Sequence, residues 1–215
     1  MIKFAPLPCS LFHCEALRRM ASLVFCFVDI ETDGPHFPAS SMLGFACAAY
    51  DELGVPVATF ERHLLPLPGT APAAETADWW RTQPDAWRHI TSDQRPAEEV
   101  MPEFLRWLQS LNGDPVLAAA PLMFDGLWLD HYLQRFTTAR AFGLHGTSPF
   151  VGPGIDVPTF VQASLGRPYS RVKPDYGPEL LGGNVHSHKP LDDARAYAAL
   201  YFNSRRLAAI ARGEV

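Results

Sequence analysis

Asp29 and Glu31 stand one residue apart at the end of an apolar run, LVFCFV (Leu23 to Val28), within the segment FVDIETDGP. In an extended strand, positions i and i+2 project to the same face. The two carboxylates therefore leave the strand together. No lysine or arginine lies within the stretch to neutralise them. Burial would then either raise their pKa values or draw in a cation. A third acid, Asp125 in MFDGLWL, sits where an apolar strand hands over to a helix. An aspartate at such a place also serves as a helix N-cap. Asp192 and Asp193 open the last helical segment, HKPLDDARAYAALY, where the helix dipole favours negative charge. Capping accounts for Asp125 alone, and the dipole accounts for Asp192 or Asp193 alone. Jointly, acids recur after strands and at helix starts, with His188 five residues before Asp193. That pattern points to hard divalent cations such as Mg²⁺ or Mn²⁺, which take carboxylate oxygens and water.

The elements that must position these groups are legible in outline. Leu23 to Ile30 reads as a fully buried strand, residues 42 to 52 as a second and 55 to 67 as a third. Short turns between them predict an antiparallel meander. Residues 66 to 78 read as loop and 75 to 90 as short helical turns with clustered tryptophans. Val100, Phe104, Leu105, Leu108 and Leu111 recur at helical spacing within 97 to 111. A short buried strand follows at 115 to 121, and Asp125 opens a helix. Residues 154 to 166 turn from strand to helix, and 191 to 211 form a long alanine-rich helix. Loops at 140 to 154 and 167 to 187 are long for a compact domain, as functional loops often are. This order predicts an α/β domain with a mixed sheet and helices on its faces.

The whole composition bounds the answer. The chain has 215 residues, 47% of them hydrophobic, enough for one domain with a sizeable core. No apolar run is long enough to span a membrane. A net charge of -5 argues against coating nucleic acid by bulk electrostatics, though a local basic track is compatible with it. Cys9, Cys14, Cys26 and Cys47 form no C-x-x-C pair. Cys26 and Cys47 lie in apolar runs and read as buried free thiols, which fits a reducing, cytoplasmic compartment. The N-terminal segment has two prolines and ends in Glu15 and two arginines, unlike a signal peptide. Residues 1 to 22 are expected to be a poorly ordered extension.

With these motifs in place, the chain resembles the DEDDh branch of the DnaQ-like 3′–5′ exonuclease superfamily. VDIETDG is similar to its D-x-E motif, MFDGLWL to its second motif, and HKPLDDA to its H-x-x-x-x-D motif. The register pairs His188 with Asp193; Ser187 stands at the matching offset from Asp192, and Lys189 stands where a tyrosine variant would need tyrosine. A narrower resemblance links ETADWWRTQPDAWR and GIDVPTF to phage DexA-like and Rv2179c-like exoribonucleases. The resemblance covers roughly residues 23 to 210. It implies an RNase H-like fold: a five-stranded mixed sheet, three antiparallel strands then parallel ones, flanked by helices, with residues 23 to 212 as the exonuclease domain.

The resemblance also implies a chemistry. Asp29, Glu31, Asp125 and Asp193 would hold two Mg²⁺ or Mn²⁺ ions, roughly 3.5–4 Å apart in two-metal sites of this kind. Asp29 would bridge the ions, Glu31 and Asp193 would complete one site, and Asp125 would hold the other through water. His188, with an unperturbed pKa near ~6.5, would be the general base. The substrate would be the 3′ end of single-stranded DNA or RNA, and the product a nucleoside 5′-monophosphate. Thr32 matches the position that meets the terminal nucleotide, and Phe124 and Lys189 stand beside the motifs as further substrate contacts. Phe37, Met42, Trp79 and Trp80 are candidates for base stacking; Arg167, Arg171 and Lys173 are candidates for phosphate contact. The other histidines receive no role, and Asp130 is expected at the surface. Relatives include dimers and monomers, so a homodimer is one expectation. The competing reading is a non-catalytic nucleic-acid-binding module on the same fold.

Overall fold

The computed structural model describes residues 22–143, 147–168 and 176–214. Cys9, Cys14, Arg171, Lys173 and nearly all of the expected N-terminal extension lie outside these. The sheet is built around β1 (Leu23–Thr32), which lies between two neighbours. Its antiparallel neighbour is β2 (Met42–Tyr50), which in turn pairs antiparallel with β3 (Pro56–His63). On the other side β4 (Asp114–Ala119) runs parallel to β1, and β5 (Ile155–Asp156) runs parallel to β4. The order β3-β2-β1-β4-β5 is the expected mixed sheet. Because β1 is central and covered on both faces, it reads as a continuous apolar run rather than an alternating one.

Seven helices complete the described chain: α1 (Ala74–Trp80), α2 (Pro84–Ile90), α3 (Ala97–Ser110), α4 (Leu122–Phe136), α5 (Val157–Ser164), α6 (Pro178–Leu181) and α7 (Pro190–Arg212). Side chains alternate across β1. Cys26, Val28 and Ile30 join Phe104 of α3 and Leu129 and Leu133 of α4 on one face. Phe25 and Phe27 join Val161 of α5 and Leu200 and Tyr201 of α7 on the other. Asp29 and Glu31 continue the parity of Phe25 and Phe27, so they face α7. Cys26 and Cys47 are buried free thiols, as expected.

The short helical turns expected over 75 to 90 are found, while the start of α4 differs from the sequence reading. Residues 74 to 90 form two helices, with Pro84 at the start of the second, where its missing N–H costs nothing. Helix α4 begins at Leu122 rather than at Asp125, so Asp125 is inside the helix and is not its cap. Asp156 fixes that earlier start. Its Oδ1 accepts the Leu122 amide at 2.9 Å, and its Oδ2 accepts the Thr159 amide at 3.0 Å as the N-cap of α5. The Tyr132 hydroxyl accepts the Met42 amide at 2.8 Å and ties α4 to the start of β2. Among the described residues, no helix is long and apolar enough to cross a membrane.

Candidate active site

The C-terminal end of the central strand β1, the first turns of α4 and the start of α7 meet at one end of the sheet. Asp29, Glu31 and Asp193 bring one carboxylate oxygen each to within 4.8 Å of one another. Asp125 is near enough for its charge to act on both Asp29 and Glu31. Three of the four acids are almost wholly buried: Asp29, Asp125 and Asp193 are 4%, 3% and 0% exposed. This crowding is costly, because burial and like charge both disfavour ionisation. Burial first, then the charges of Asp125, Glu31 and Asp193, push Asp29 well above the ordinary carboxylate range. Burial, with Asp193 and Asp125, pushes Glu31 up to about 9. Burial pushes Asp125 up to about 8.

The protein supplies too few donors to satisfy this cluster. The Tyr197 hydroxyl donates to Asp29 Oδ1 at 2.8 Å. Asp29 Oδ2 and Asp125 Oδ2 are buried and find no hydrogen-bond partner among the described residues. Buried polar atoms without partners are rare and call for an explanation. An all-oxygen donor set with two unpartnered carboxylate oxygens fits Mg²⁺ or Mn²⁺. Asp193 is different, because its oxygens are already engaged by the loop ahead of α7. Its Oδ1 accepts the Ser187 amide and its Oδ2 the His188 amide, each at 2.8 Å. Those bonds help hold His188 at a left-handed φ of 56°.

His188 is the histidine that the motif register selects, and its ring does reach the cleft. Its Nδ1 is 3.9 Å from Glu31 Oε1, and its ring meets Trp79 edge-on at 4.7 Å between centroids. His186, which the sequence leaves without a role, also enters the site. Its Nδ1 is 3.1 Å from Asp193 Oδ2, and its ring is 4.2 Å from that of His188. Tyr197 is the other residue the motifs do not flag. The available signal is spacing: it lies one helical turn after Asp193, so both project from the same face of α7.

The candidate substrate contacts divide. Phe124 and Trp79 keep exposed ring surface, each at 37%. Lys189 is half-buried at the N-cap of α7. Thr32 is buried, and its carbonyl accepts the Trp80 indole N–H at 3.0 Å. Trp80 and Met42 are corrections. They are 3% and 0% exposed, so neither offers a ring or side-chain face to a base. Phe37 is half-buried against Trp128. Asp130 is also corrected: it is buried rather than at the surface, with the Arg140 Nε 3.0 Å from its Oδ1.

No family model matches the chain, and no curated protein sequence matches it. Solved structures do. The chain superposes on E. coli exonuclease I in complex with a dT13 oligonucleotide with a TM-score of 0.63 at 12% identity, covering 91% of this chain and 43% of that one. Exonuclease I from Methylocaldum szegediense gives 0.61 at 18% identity, covering 90% and 43%. The nuclease domain of 3′hExo, a DEDDh family member bound to rAMP, gives 0.59 at 13% identity, covering 88% and 93%. The chain thus spans less than half the length of exonuclease I but nearly the whole 3′hExo nuclease domain. It shares the RNase H-like fold of these exonuclease structures, and Asp29, Glu31, Asp125, His188 and Asp193 gather at the C-terminal end of its central strand.

Proposed function

We propose that this protein is a metal-dependent 3′–5′ exonuclease that releases nucleoside 5′-monophosphates from single-stranded nucleic acid. The observation that carries the reading is the buried meeting of Asp29, Glu31 and Asp193, with unpartnered oxygens on Asp29 and Asp125, on a nuclease fold. A purely structural acid cluster would satisfy its buried oxygens with hydrogen bonds, and Asp29 Oδ2 and Asp125 Oδ2 have none among the described residues. Asp29, Glu31, Asp125 and Asp193 would hold two Mg²⁺ or Mn²⁺ ions. Divalent cations bound there supply the positive charge that makes water nucleophilic at neutral pH and offsets charge on the phosphate.

The chain's own groups divide the remaining work. Tyr197 donates to one oxygen of Asp29 and leaves the other for coordination. His188 takes the proton of the attacking water. Its backbone is pinned through Asp193, and the Trp79 edge limits the swing of its ring. The exposed faces of Trp79 and Phe124 offer stacking surface to the terminal bases, which tolerates any sequence. The Thr32 segment and Lys189 contact the terminal nucleotide and a phosphate.

The test is degradation of 5′-labelled single-stranded RNA and DNA of one sequence with Mn²⁺ or Mg²⁺. The expected result is a ladder shortening from the 3′ end, absent in Asp29→Ala. His188→Ala should lose about 10²–10⁴-fold in turnover, the usual contribution of a general base, and keep metal binding. His186→Ala should lose less than about tenfold. The reverse order of the two histidines would reassign the base. Binding of both substrates without cleavage would establish the non-catalytic module instead.

A further inference from the structure

A second cluster of ligating side chains lies away from the acid site. Glu61 and His63 are on β3, at i and i+2, and therefore project from one face of the strand. His89 comes from the last turn of α2. Each offers one atom, and the three atoms lie within 4.8 Å of one another. Glu61 Oε1 is 2.9 Å from His89 Nε2 and 3.9 Å from His63 Nε2. Ligands of a tetrahedral Zn²⁺, bonded at about 2.0–2.1 Å, lie about 3.4 Å apart. The two distances bracket that separation, so small rotamer shifts would bring the atoms into place.

His63 supplies the second observation. Its Nδ1 is 2.9 Å from the Ser92 carbonyl, which can only accept, so this nitrogen carries the proton. The ring therefore turns the lone pair of Nε2 toward Glu61 and His89. That Nε2 is buried and finds no hydrogen-bond partner among the described residues. A histidine that donates through one nitrogen to a backbone carbonyl and presents the other unpartnered is oriented as a metal ligand. The side chains of Glu61 and His89 are 23% and 33% exposed, which leaves room for water as a fourth ligand.

We propose that Glu61, His63 and His89 form a divalent transition-metal site of the Zn²⁺ class, separate from the carboxylate site. Two imidazoles and one carboxylate favour Zn²⁺, Co²⁺ or Ni²⁺ over the Mg²⁺ that suits the all-oxygen site. Its role is to tether. The ion would join the sheet's edge strand to α2, where the Leu64–Arg95 bridge already draws the chain back to β3. Helix α2 packs Trp87 against Trp80, whose indole holds the Thr32 carbonyl. The tether thus supports the wall beside Thr32 without touching the reacting atoms.

The experiment is metal counting on the full chain after chelation and dialysis against Zn²⁺, with Co²⁺ absorption bands as an independent signal. Excess Mg²⁺ occupies the carboxylate site throughout. Wild type should bind one more equivalent than His89→Ala, and wild type alone should show the tetrahedral Co²⁺ spectrum of this site. His89→Ala should keep its Mg²⁺-dependent exonuclease activity. Glu61→Gln serves as a second variant, because it keeps the packing if His89→Ala does not fold. Equal Zn²⁺ stoichiometry and equal Co²⁺ spectra in wild type and either folded variant would overturn the proposal and leave a hydrogen-bonded His–Glu–His cluster only.

Discussion

At the residue scale, Tyr197 decides how much of Asp29 is available. Its hydroxyl holds Asp29 Oδ1, and the same contact lowers the cost of ionising Asp29 against burial and three neighbouring acids. Removing a hydrogen bond to a charged group costs roughly 1.5–3 kcal/mol. Tyr197→Phe should therefore weaken Mn²⁺ binding by about tenfold or more, since ~1.4 kcal/mol is a factor of ten. Titration calorimetry checks this, and an unchanged affinity would remove Tyr197 from the site. Asp29 with Glu31 stood out by strand parity, while Asp125 and the pairing of His188 with Asp193 were legible through the family resemblance. His186 was not, because no acid stands at the motif offset from it, and Tyr197 was not, because its contact with Asp29 depends on how α7 docks on β1. Nothing local states that docking. Trp80 and Met42 show the converse error: residue type suggested stacking, and burial in the packed wall overrides it.

At the scale of elements, Asp156 positions one of the candidate site's acids, Asp125, without belonging to the acid cluster. It caps α5 and fixes the start of α4, one turn ahead of Asp125. Loss of an N-cap costs about 1 kcal/mol, and loss of the Leu122 contact adds to it. Asp156→Ala should lower stability by about 1–2 kcal/mol in denaturant unfolding and reduce activity while His188→Ala leaves stability nearly unchanged. A stability loss without any activity loss would show that α4 keeps its place by packing alone. The strands and long helices were readable from apolar runs and helical period. The start of α4 was not, because it is set by Asp156, 34 residues away in sequence. Strand β5 is only two residues long and carries little pattern to read.

At the scale of the molecule, the acid cluster makes the metal-free chain sensitive to alkali. Glu31 and Asp125 keep their protons up to about 9 and about 8 when folded, against ordinary values of 4.5 and 3.8. Between those limits the folded chain binds more protons than the unfolded chain. Their contribution to stability is therefore full below the ordinary values and is lost as pH rises toward the folded ones. Bound cations replace those protons. The gain in melting temperature on adding Mn²⁺ should accordingly grow from about pH 5 to about pH 9, as thermal scans across that range would read out. A gain that shrinks with pH would mean the acids are not in contact with the metal.

The Tyr197–Asp29 hydrogen bond spans 168 positions of sequence. Chains are synthesised from the N-terminus, at roughly 5–20 residues per second. A nascent chain can assemble the β1–β2–β3 meander early, yet it has no Asp193, no His188 and no Tyr197 until α7 has been made and has docked. On the proposed function, hydrolytic competence would therefore arrive only once α7 has docked. A C-terminally clipped copy would lack Asp193, His188 and Tyr197 and, on that reading, should leave single-stranded nucleic acid uncut in the labelled-strand assay.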